Sequence, residues 1–277
     1  MISPARLESY MRRAAAWEYE SIDVPPFVLF FNPEDPLPFS NYARPVEPIS
    51  AETTGILLPG QGAEPAYDMS RSLAVLSAEF HARQRMPRFE FVEEYAPALA
   101  TVLETAGFLQ EARLLLMTCD REGFRMPPPV PGLQIAPLTN RAPAGDLRTF
   151  RAVQSYSFDE SRGDFPGSLA EIEKEENGGF LLTEGHGAFL ARLNDQPVGA
   201  AAYTVPLDGL TELVGIGTLA PHRGRGIGAA LTAQAVKSAF ESGVEVAFLV
   251  AEDERAGRVY TRVGFRPFAT VLMYSQA

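Results

Sequence analysis

Hydrophobic and polar positions in the second half of the chain follow the two periods that distinguish strands from helices. Residues 244–251 are almost continuously apolar, which is typical of a buried parallel strand. Leu231, Ala235 and Ala239 recur at a spacing of four and predict a helix over 228–241. The whole half is therefore predicted to be an α/β unit. Its predicted elements are strand 133–138, helical segments from 142 to about 176, strands 188–193, 198–205 and 211–219, helix 228–241, strand 244–251, helix 252–262 and strand 268–275.

The first half repeats part of this order. Residues 104–108 and 261–265 both end in Gly-Phe and lie 157 positions apart. Three further pairs of segments correspond at the same offset without a gap: 73–80 with 230–237, 89–92 with 246–249, and 112–117 with 269–274. We therefore predict that the chain is a tandem repeat of one α/β unit.

A proline-rich segment lies between the two copies. Residues 127–131 contain four prolines, which cannot continue a helix or a central strand, so a stiff extended linker is predicted there. This linker divides the chain into predicted domains 1–126 and 132–277, both of ordinary domain size.

Composition and charge limit the partners of the protein. The 277 residues are 46% apolar and carry a formal charge of −11, which disfavours nucleic acid or an anionic membrane as a partner. No signal peptide and no apolar run of about 20 residues is found, so we expect a cytoplasmic protein. The acidic surface is compatible with an amine-bearing substrate, and solubility alone explains it equally well.

Disulfides and metal sites are not expected. Cys119 is the only cysteine, which excludes an intramolecular disulfide and a cysteine-based metal site. His81, His186 and His222 are scattered and lack the spacing of metal ligands.

The clearest chemical signal is the glycine-rich segment 221–228, which lies between a predicted strand and a predicted helix. Such a turn directs backbone N–H groups and the helix dipole at one point, and its glycines let a ligand approach closely, so a phosphate or pyrophosphate site is predicted. The spacing is neither that of a dinucleotide-binding fingerprint nor that of a Walker loop. The corresponding segment of the first copy, 66–71, has no glycine, and its Asp68 would repel a phosphate.

Two motifs resemble those of the GNAT-type N-acetyltransferase superfamily. Residues 223–228 (Arg-Gly-Arg-Gly-Ile-Gly) resemble its Arg/Gln-x-x-Gly-x-Gly/Ala turn, and residues 256–265 resemble the end of its fourth helix. Two positions depart from the family pattern: Pro221 is two residues before Arg223 instead of three, and Asp253 replaces a frequent Asn. The resemblance covers 132–277 and reaches the first half only through the repeat. It implies two tandem units, each a mixed central sheet flanked by helices, with a degenerate first unit.

The resemblance also implies a ligand and the residues that bind it. Acetyl-CoA, or another acyl-CoA, would be the donor cosubstrate, with its pantetheine arm beside Gly217 and Thr218. The residues implied to hold its pyrophosphate through their N–H groups are Arg223, Gly224, Arg225, Gly226, Ile227 and Gly228.

Two residues are candidates for catalysis. Tyr260 matches the position of a family tyrosine that protonates the departing thiolate, although an aromatic residue on a helix often only packs in the core. Glu212, eleven residues before Arg223, resembles the strand glutamate of some family members and could act as base, although exposed glutamates at strand starts are common. Asp159, Glu160 and Asp164 could contact the acceptor or simply form a solvated acidic loop.

The resemblance thus implies an acyl-CoA-dependent N-acyltransferase, with direct attack by an amine in a ternary complex in the second unit. A covalent acyl-enzyme is not expected because Cys119 lies outside the motifs. The alternative is a non-catalytic acyl-CoA sensor or assembly module that kept the loop. The expected acceptor is a small-molecule amine. The sequence does not distinguish an aminoglycoside or a protein N-terminus from other amine acceptors.

Overall fold

The computed structural model describes residues 2–33, 35, 37–50, 67–172 and 184–276. Its helices are α1 (Pro4–Glu18), α2 (Met69–Ala82), α3 (Leu99–Thr105), α4 (Ala144–Phe158), α5 (Leu169–Ile172), α6 (Ile227–Glu241) and α7 (Glu254–Val263). Its strands are β1 (Glu20–Val24), β2 (Phe27–Phe31), β3 (Tyr42–Pro45), β4 (Arg88–Val92), β5 (Leu109–Asp120), β6 (Leu133–Leu138), β7 (Gly187–Leu193), β8 (Gln196–Tyr203), β9 (Leu210–Thr218), β10 (Val246–Ala251) and β11 (Arg266–Ser275). The chain divides into two compact units: Met1–Leu116 with Phe268–Ala277, and Met117–Pro267.

The first unit contains a mixed sheet with the strand order β1-β2-β3-β4-β11-β5. β3 and β4 are parallel, whereas β4 and β11 are antiparallel, with Val92 opposite Val271. Phe27, Phe89 and Phe108 are buried, and the Phe89 ring contacts both of the others edge to face. The last strand of the chain is therefore an interior strand of the first unit.

The second unit contains the strand order β10-β9-β8-β7-β6. Its strands are antiparallel neighbours except for β9 and β10, which are parallel. α6 packs on one face of this sheet through Leu231 and Val236, and α4 packs on the other face through Phe150 and Val153. The end of β5 belongs to this unit and adds Met117 to the core on the α6 side.

The mixed α/β class is confirmed, and so are the elements predicted for the second half. Every predicted strand is present with ends that differ by at most two residues, and the two last helices match α6 and α7 equally well. The helical region predicted to start at residue 142 contains α4 and α5, and its residues 173–176 lie outside the described part. No helix or strand covers the proline-rich residues 127–131.

The offset of the sequence repeat also relates the elements of the structure. Shifted by 157 positions, α2 matches α6, β4 matches β10, α3 matches α7, and β5 matches β11, each within two residues. The same helix-strand-helix-strand order is therefore built twice along the chain.

The compact units differ from the halves 1–126 and 132–277 predicted along the sequence. The first unit ends at Leu116 and includes Phe268–Ala277, which the sequence assigned to the second half. The physical reason is hydrogen bonding: β11 pairs along β4 from Val271–Val92 to Ser275–Arg88, which places it in the first unit's sheet. Within the described residues, no helix is both long and apolar enough to cross a membrane.

Candidate functional site

The glycine-rich segment joins β9 to α6 in the second unit. β9 ends at Thr218, a 3-10 turn covers Ala220–His222, and α6 starts at Ile227. Gly224 and Gly226 have φ values of +77° and +84°, in the left-handed region that favours glycine. The turn itself therefore requires these two glycines.

The N-terminal end of α6 presents backbone N–H groups that have no helical partner. Its first hydrogen bond runs from the Ala230 N–H to the Gly226 carbonyl at 3.0 Å, and no side chain among the described residues caps the helix. The N–H groups of Ile227, Gly228 and Ala229 precede this bond, so the helix leaves them unpaired. Together with the helix dipole, they make the turn a favourable place for an anion.

Arg223, at the start of the motif, uses both its backbone and its side chain within the second unit. Its N–H donates to the Ala220 carbonyl at 3.3 Å. Its guanidinium donates from Nε to the Thr218 carbonyl at 3.1 Å and from Nη2 to the Ser157 carbonyl at 2.9 Å. The side chain therefore ties the end of β9 to the end of α4.

Two other side chains set the charge of the turn. Arg225 is exposed. Burial, together with the charge of Arg225, holds the pKa of His222 below its usual value, so the imidazole is neutral at neutral pH. The His222 Nδ1 atom is buried and has no hydrogen-bond partner in the part of the chain that the structure describes. The positive charge at this turn thus comes from arginine and not from histidine.

β9 and β10 separate beside the turn. Their parallel pairing runs from Leu210 opposite Val246 to Glu212 opposite Phe248, and over the described strands it continues no further. The rest of β9, which includes Gly217 and Thr218, pairs with β8 on its other side. Among the described strands, one backbone edge of β9 is therefore open, and an extended ligand can hydrogen-bond to such an edge as an added strand.

α4 approaches this part of β9 very closely. The Gln154 Nε2 atom donates to the Gly215 carbonyl at 3.2 Å, next to a register shift between β8 and β9. A Cβ atom on Gly217 would lie 2.5 Å from the Cβ of Ser157, so packing against α4 already requires glycine there. Sequence reasoning did not find Gln154 and Ser157. The signal in the sequence was two polar residues, three positions apart, on the helix face that also carries Phe150 and Val153. The structure shows that both are buried.

Tyr260 lies on α7, half-buried against the core that α6 covers. Its ring centroid is 6.1 Å from that of Phe265. Burial raises its pKa to about 12, with smaller contributions from Glu252 and Asp253. The phenol therefore keeps its proton throughout the neutral range, as a proton donor must.

Glu212 lies on β9 at the last residue pair before β9 and β10 separate. Strand alternation places Glu212 on the same face as Val214, which packs against the core beneath α4. Tyr260 packs on the other face of the sheet. The two candidate catalytic residues therefore lie on opposite faces of the sheet. The pairing of β9 with β10 ends at Glu212, so the two strands are separate beyond this residue.

The acidic residues after α4 form a local turn. Asp159 accepts hydrogen bonds from the Ser161 N–H at 3.0 Å and the Ser161 hydroxyl at 2.5 Å, and these bonds lower its pKa. Asp164 is exposed, and the side chain of Glu160 lies outside the described part. The Asp159 carboxylate is therefore already hydrogen-bonded to Ser161 within this turn.

Other candidate chemistry is located away from the turn. Cys119 is buried in the core beneath α6, and burial raises its pKa to about 12, with Asp120 adding to the effect. Within the described residues, no group of His, Cys, Asp and Glu side chains is arranged to hold a metal ion.

Sequence comparison assigns a family to the segment that carries the site. Residues 152–265 match the acetyltransferase (GNAT) family. Among proteins with curated descriptions, none matches the sequence significantly.

Solved structures share the fold over most of the chain. A GCN5-related N-acetyltransferase from Kribbella flavida is 28% identical, with a TM-score of 0.78 over 100% of this chain and 96% of that one. A GCN5-related N-acetyltransferase from Sphaerobacter thermophilus is 17% identical, with a TM-score of 0.55 over 97% of this chain and 84% of that one. A tandem GNAT protein from the clavulanic acid biosynthesis pathway is 14% identical, with a TM-score of 0.56 over 90% and 77% of the two chains. The site between α4, β9 and α6 thus lies in a segment, residues 152–265, that matches the acetyltransferase (GNAT) family.

Proposed function

We propose that the protein is an acyl-CoA-dependent N-acyltransferase that uses acetyl-CoA and acts on an amine within its second unit. The observation that carries the proposal is the combination of unpaired N–H groups at the start of α6 with an open edge on β9 beside them. A ligand that ends in a pyrophosphate and continues as an extended amide-containing arm fits this combination. The family of residues 152–265 supports acyl transfer in general.

The donor would occupy the turn and the open edge of β9. Its pyrophosphate would accept hydrogen bonds from N–H groups between Gly224 and Gly228, with Arg225 as a nearby positive charge. The Arg223 N–H already donates to the Ala220 carbonyl, so it is not counted among the N–H groups that would bind the pyrophosphate. The pantetheine arm would follow β9 at Gly217 and Thr218, where β10 no longer pairs.

The reaction would be direct transfer. The amine nitrogen attacks the thioester carbonyl carbon, a tetrahedral intermediate forms, and the C–S bond breaks to release CoA. Glu212 would accept the amine proton, directly or through water, from the α4 face of the sheet. Tyr260 would give its phenol proton to the departing thiolate from the other face, and its raised pKa keeps that proton available.

We propose that the first unit does not bind a donor in this way. The N-terminus of α2, which corresponds to that of α6, is capped by Asp68, whose carboxylate accepts the Arg71 N–H at 3.1 Å. A carboxylate at this point repels a phosphate. The Asp68 carboxylate therefore occupies a helix N-terminal N–H group that a donor would need.

Calorimetric titration with CoA tests the donor site. Gly226→Asp should abolish binding, because it places a side chain and a negative charge at a residue with φ +84° in the turn. Gly228→Ala is the matched control, since its Cβ would meet only ordinary contacts at 3.7 and 3.8 Å. The control should keep its CoA Kd within about threefold, which is less than about 0.7 kcal/mol. CoA binding that survives Gly226→Asp in a folded protein contradicts the assignment.

Turnover separates an enzyme from a binding module. Release of free CoA thiol is measured with acetyl-CoA and a panel of primary amines that includes polyamines, aminoglycosides, amino acid esters and short peptides. We expect amine-dependent release with at least one class. Saturable CoA binding without release on any amine would favour a non-catalytic acyl-CoA sensor.

A further inference from the structure

The side chain of Arg223 connects three parts of the second unit. Its backbone belongs to the turn proposed to hold the pyrophosphate. Its Nε and Nη2 atoms donate to the carbonyls of Thr218, at the end of β9, and Ser157, at the end of α4. One guanidinium therefore links the turn, the strand and the helix.

The C-terminal end of α4 needs such a partner. The last carbonyls of a helix have no intrahelical donor, and a cation there is also favoured by the helix dipole. The Ser157 carbonyl is one of these groups, and Arg223 supplies its donor at 2.9 Å. A planar fork can bond two carbonyls at once, whereas a lysine ammonium has no such geometry.

This end of α4 borders the open part of β9. Ser157 is buried against Gly217, and Gln154 bonds the Gly215 carbonyl. The Ser157 Oγ and Gln154 Oε1 atoms are buried without a hydrogen-bond partner among the described residues. A buried polar atom without a hydrogen bond costs free energy, so these two atoms weaken the packing of α4 on β9. The bond from Arg223 to Ser157 opposes this effect, because it holds the helix beside the strand.

We propose that Arg223 is a positioning residue that couples donor binding at the turn to the C-terminal end of α4. This inference rests on the proposed function, which places the donor on the turn and the acceptor on the α4 face beside Glu212. A pyrophosphate that fixes the turn also fixes the backbone from which the Arg223 side chain extends. Donor binding then holds the last turn of α4 against β9, on the face of the sheet where the acceptor is proposed to bind.

Arg225 provides a matched control on the same turn. It is two residues away, exposed, and forms no ion pair within the part of the chain that the structure describes. Arg223→Lys keeps the charge of the turn and removes the fork, whereas Arg225→Gln removes a charge and leaves the bridge to Ser157 intact.

The experiment is hydrogen–deuterium exchange, read on peptides that cover residues 153–159, with and without saturating CoA. CoA should slow exchange in this segment at least about threefold in the unaltered protein. In Arg223→Lys, saturating CoA should still protect the turn without slowing exchange in 153–159, and its Kd should rise by no more than about threefold, the size of the lost coupling. Arg225→Gln should bind CoA more weakly and, once saturated, still protect 153–159.

Each outcome decides a separate point. Absence of CoA binding by the unaltered protein contradicts the proposed function, and the coupling fails with it. CoA binding that protects the turn in the unaltered protein and leaves 153–159 unchanged overturns the coupling alone. The same result follows if Arg223→Lys retains full CoA-dependent protection of 153–159. A general loss of stability would raise exchange with and without CoA alike, so it cannot imitate the expected result.

Discussion

Glu8 and Arg44 form a buried ion pair in the first unit, with 2.8 Å between the Glu8 Oε1 and Arg44 Nε atoms. Both side chains are almost fully excluded from solvent, at 0% and 3% exposure. The other carboxylate oxygen accepts bonds from Arg44 Nη2 at 3.1 Å and from the Val92 N–H. Every charge in this arrangement therefore has a hydrogen-bonded partner.

Glu8→Gln should strongly destabilise the protein, because it leaves the Arg44 guanidinium buried without its close countercharge. We expect a loss of about 3–5 kcal/mol in the free energy of unfolding by urea. Glu79→Gln, which removes the half-exposed pair with Arg83, should cost less than about 1 kcal/mol. Equal effects of the two substitutions would contradict the importance of burial.

Cys119 should not react with thiol reagents in the folded protein at pH 8. Its pKa is raised from 9 to about 12 by burial, so the folded state favours the protonated thiol. That contribution to stability is complete below about pH 9 and is lost as the pH rises toward 12. Ellman titration should detect one thiol per chain in denaturant and essentially none without it. Rapid labelling of the native protein would disprove the burial of this thiol.

Tyr260→Phe should lower kcat by about a hundredfold or more and leave the Kd for CoA unchanged, because it removes only the proposed proton donor. The control is Tyr274→Phe in the first unit, which removes a tyrosine whose pKa is also raised to about 12. This control should keep its kcat. Equal rates for Tyr260→Phe and the unaltered enzyme would remove Tyr260 from the mechanism.

The pKa of Tyr260 is itself measurable by ultraviolet absorbance. The difference between the alkaline titrations of the unaltered protein and Tyr260→Phe should show a midpoint near pH 12 and not near 10. Since the folded pKa is raised, the protonated phenol stabilises the fold below about pH 10, and this contribution disappears between 10 and 12. A midpoint near 10 would mean that the side chain is solvated.

A chain that ends before β11 should lose the structure of its first unit. Leu272 and Tyr274 are buried there, and removal of β11 leaves the edge of β4 unpaired. We expect aggregation in size-exclusion chromatography and a lowered Tm for a chain truncated at Phe265. A chain that ends at Ser275 keeps the strand and is the control. A soluble, cooperatively melting product from the shorter chain would contradict the assignment of β11 to this unit.

Local features of the site follow from the sequence. The left-handed conformations of Gly224 and Gly226 and the start of α6 depend on residues close in the chain, so spacing and residue type predict them. The cap of α7 is similarly local: Asp253 accepts the Ala256 N–H at 2.7 Å, as an Asn would.

Contacts between distant residues could not be predicted in this way. The partner of Arg223 is Ser157, 66 positions earlier, and nothing in the motif indicates that bond. The sequence predicts Gly217 as a residue beside the pantetheine arm. The structure adds a second reason for glycine at this position, because it packs closely against α4. An apolar run such as β11 fits several places in a sheet, so its pattern predicts a strand without predicting its neighbours.

The position of β11 has a consequence for synthesis of the protein. The first unit cannot complete its sheet until residues 268–275 have left the ribosome, although its other strands emerge long before. During translation, β4 therefore has an unpaired edge for most of the time that the second unit is being made. The first unit is thus begun before the second and completed after it, and a nascent chain stalled within α7 exposes the β4 edge to pairing with a wrong strand.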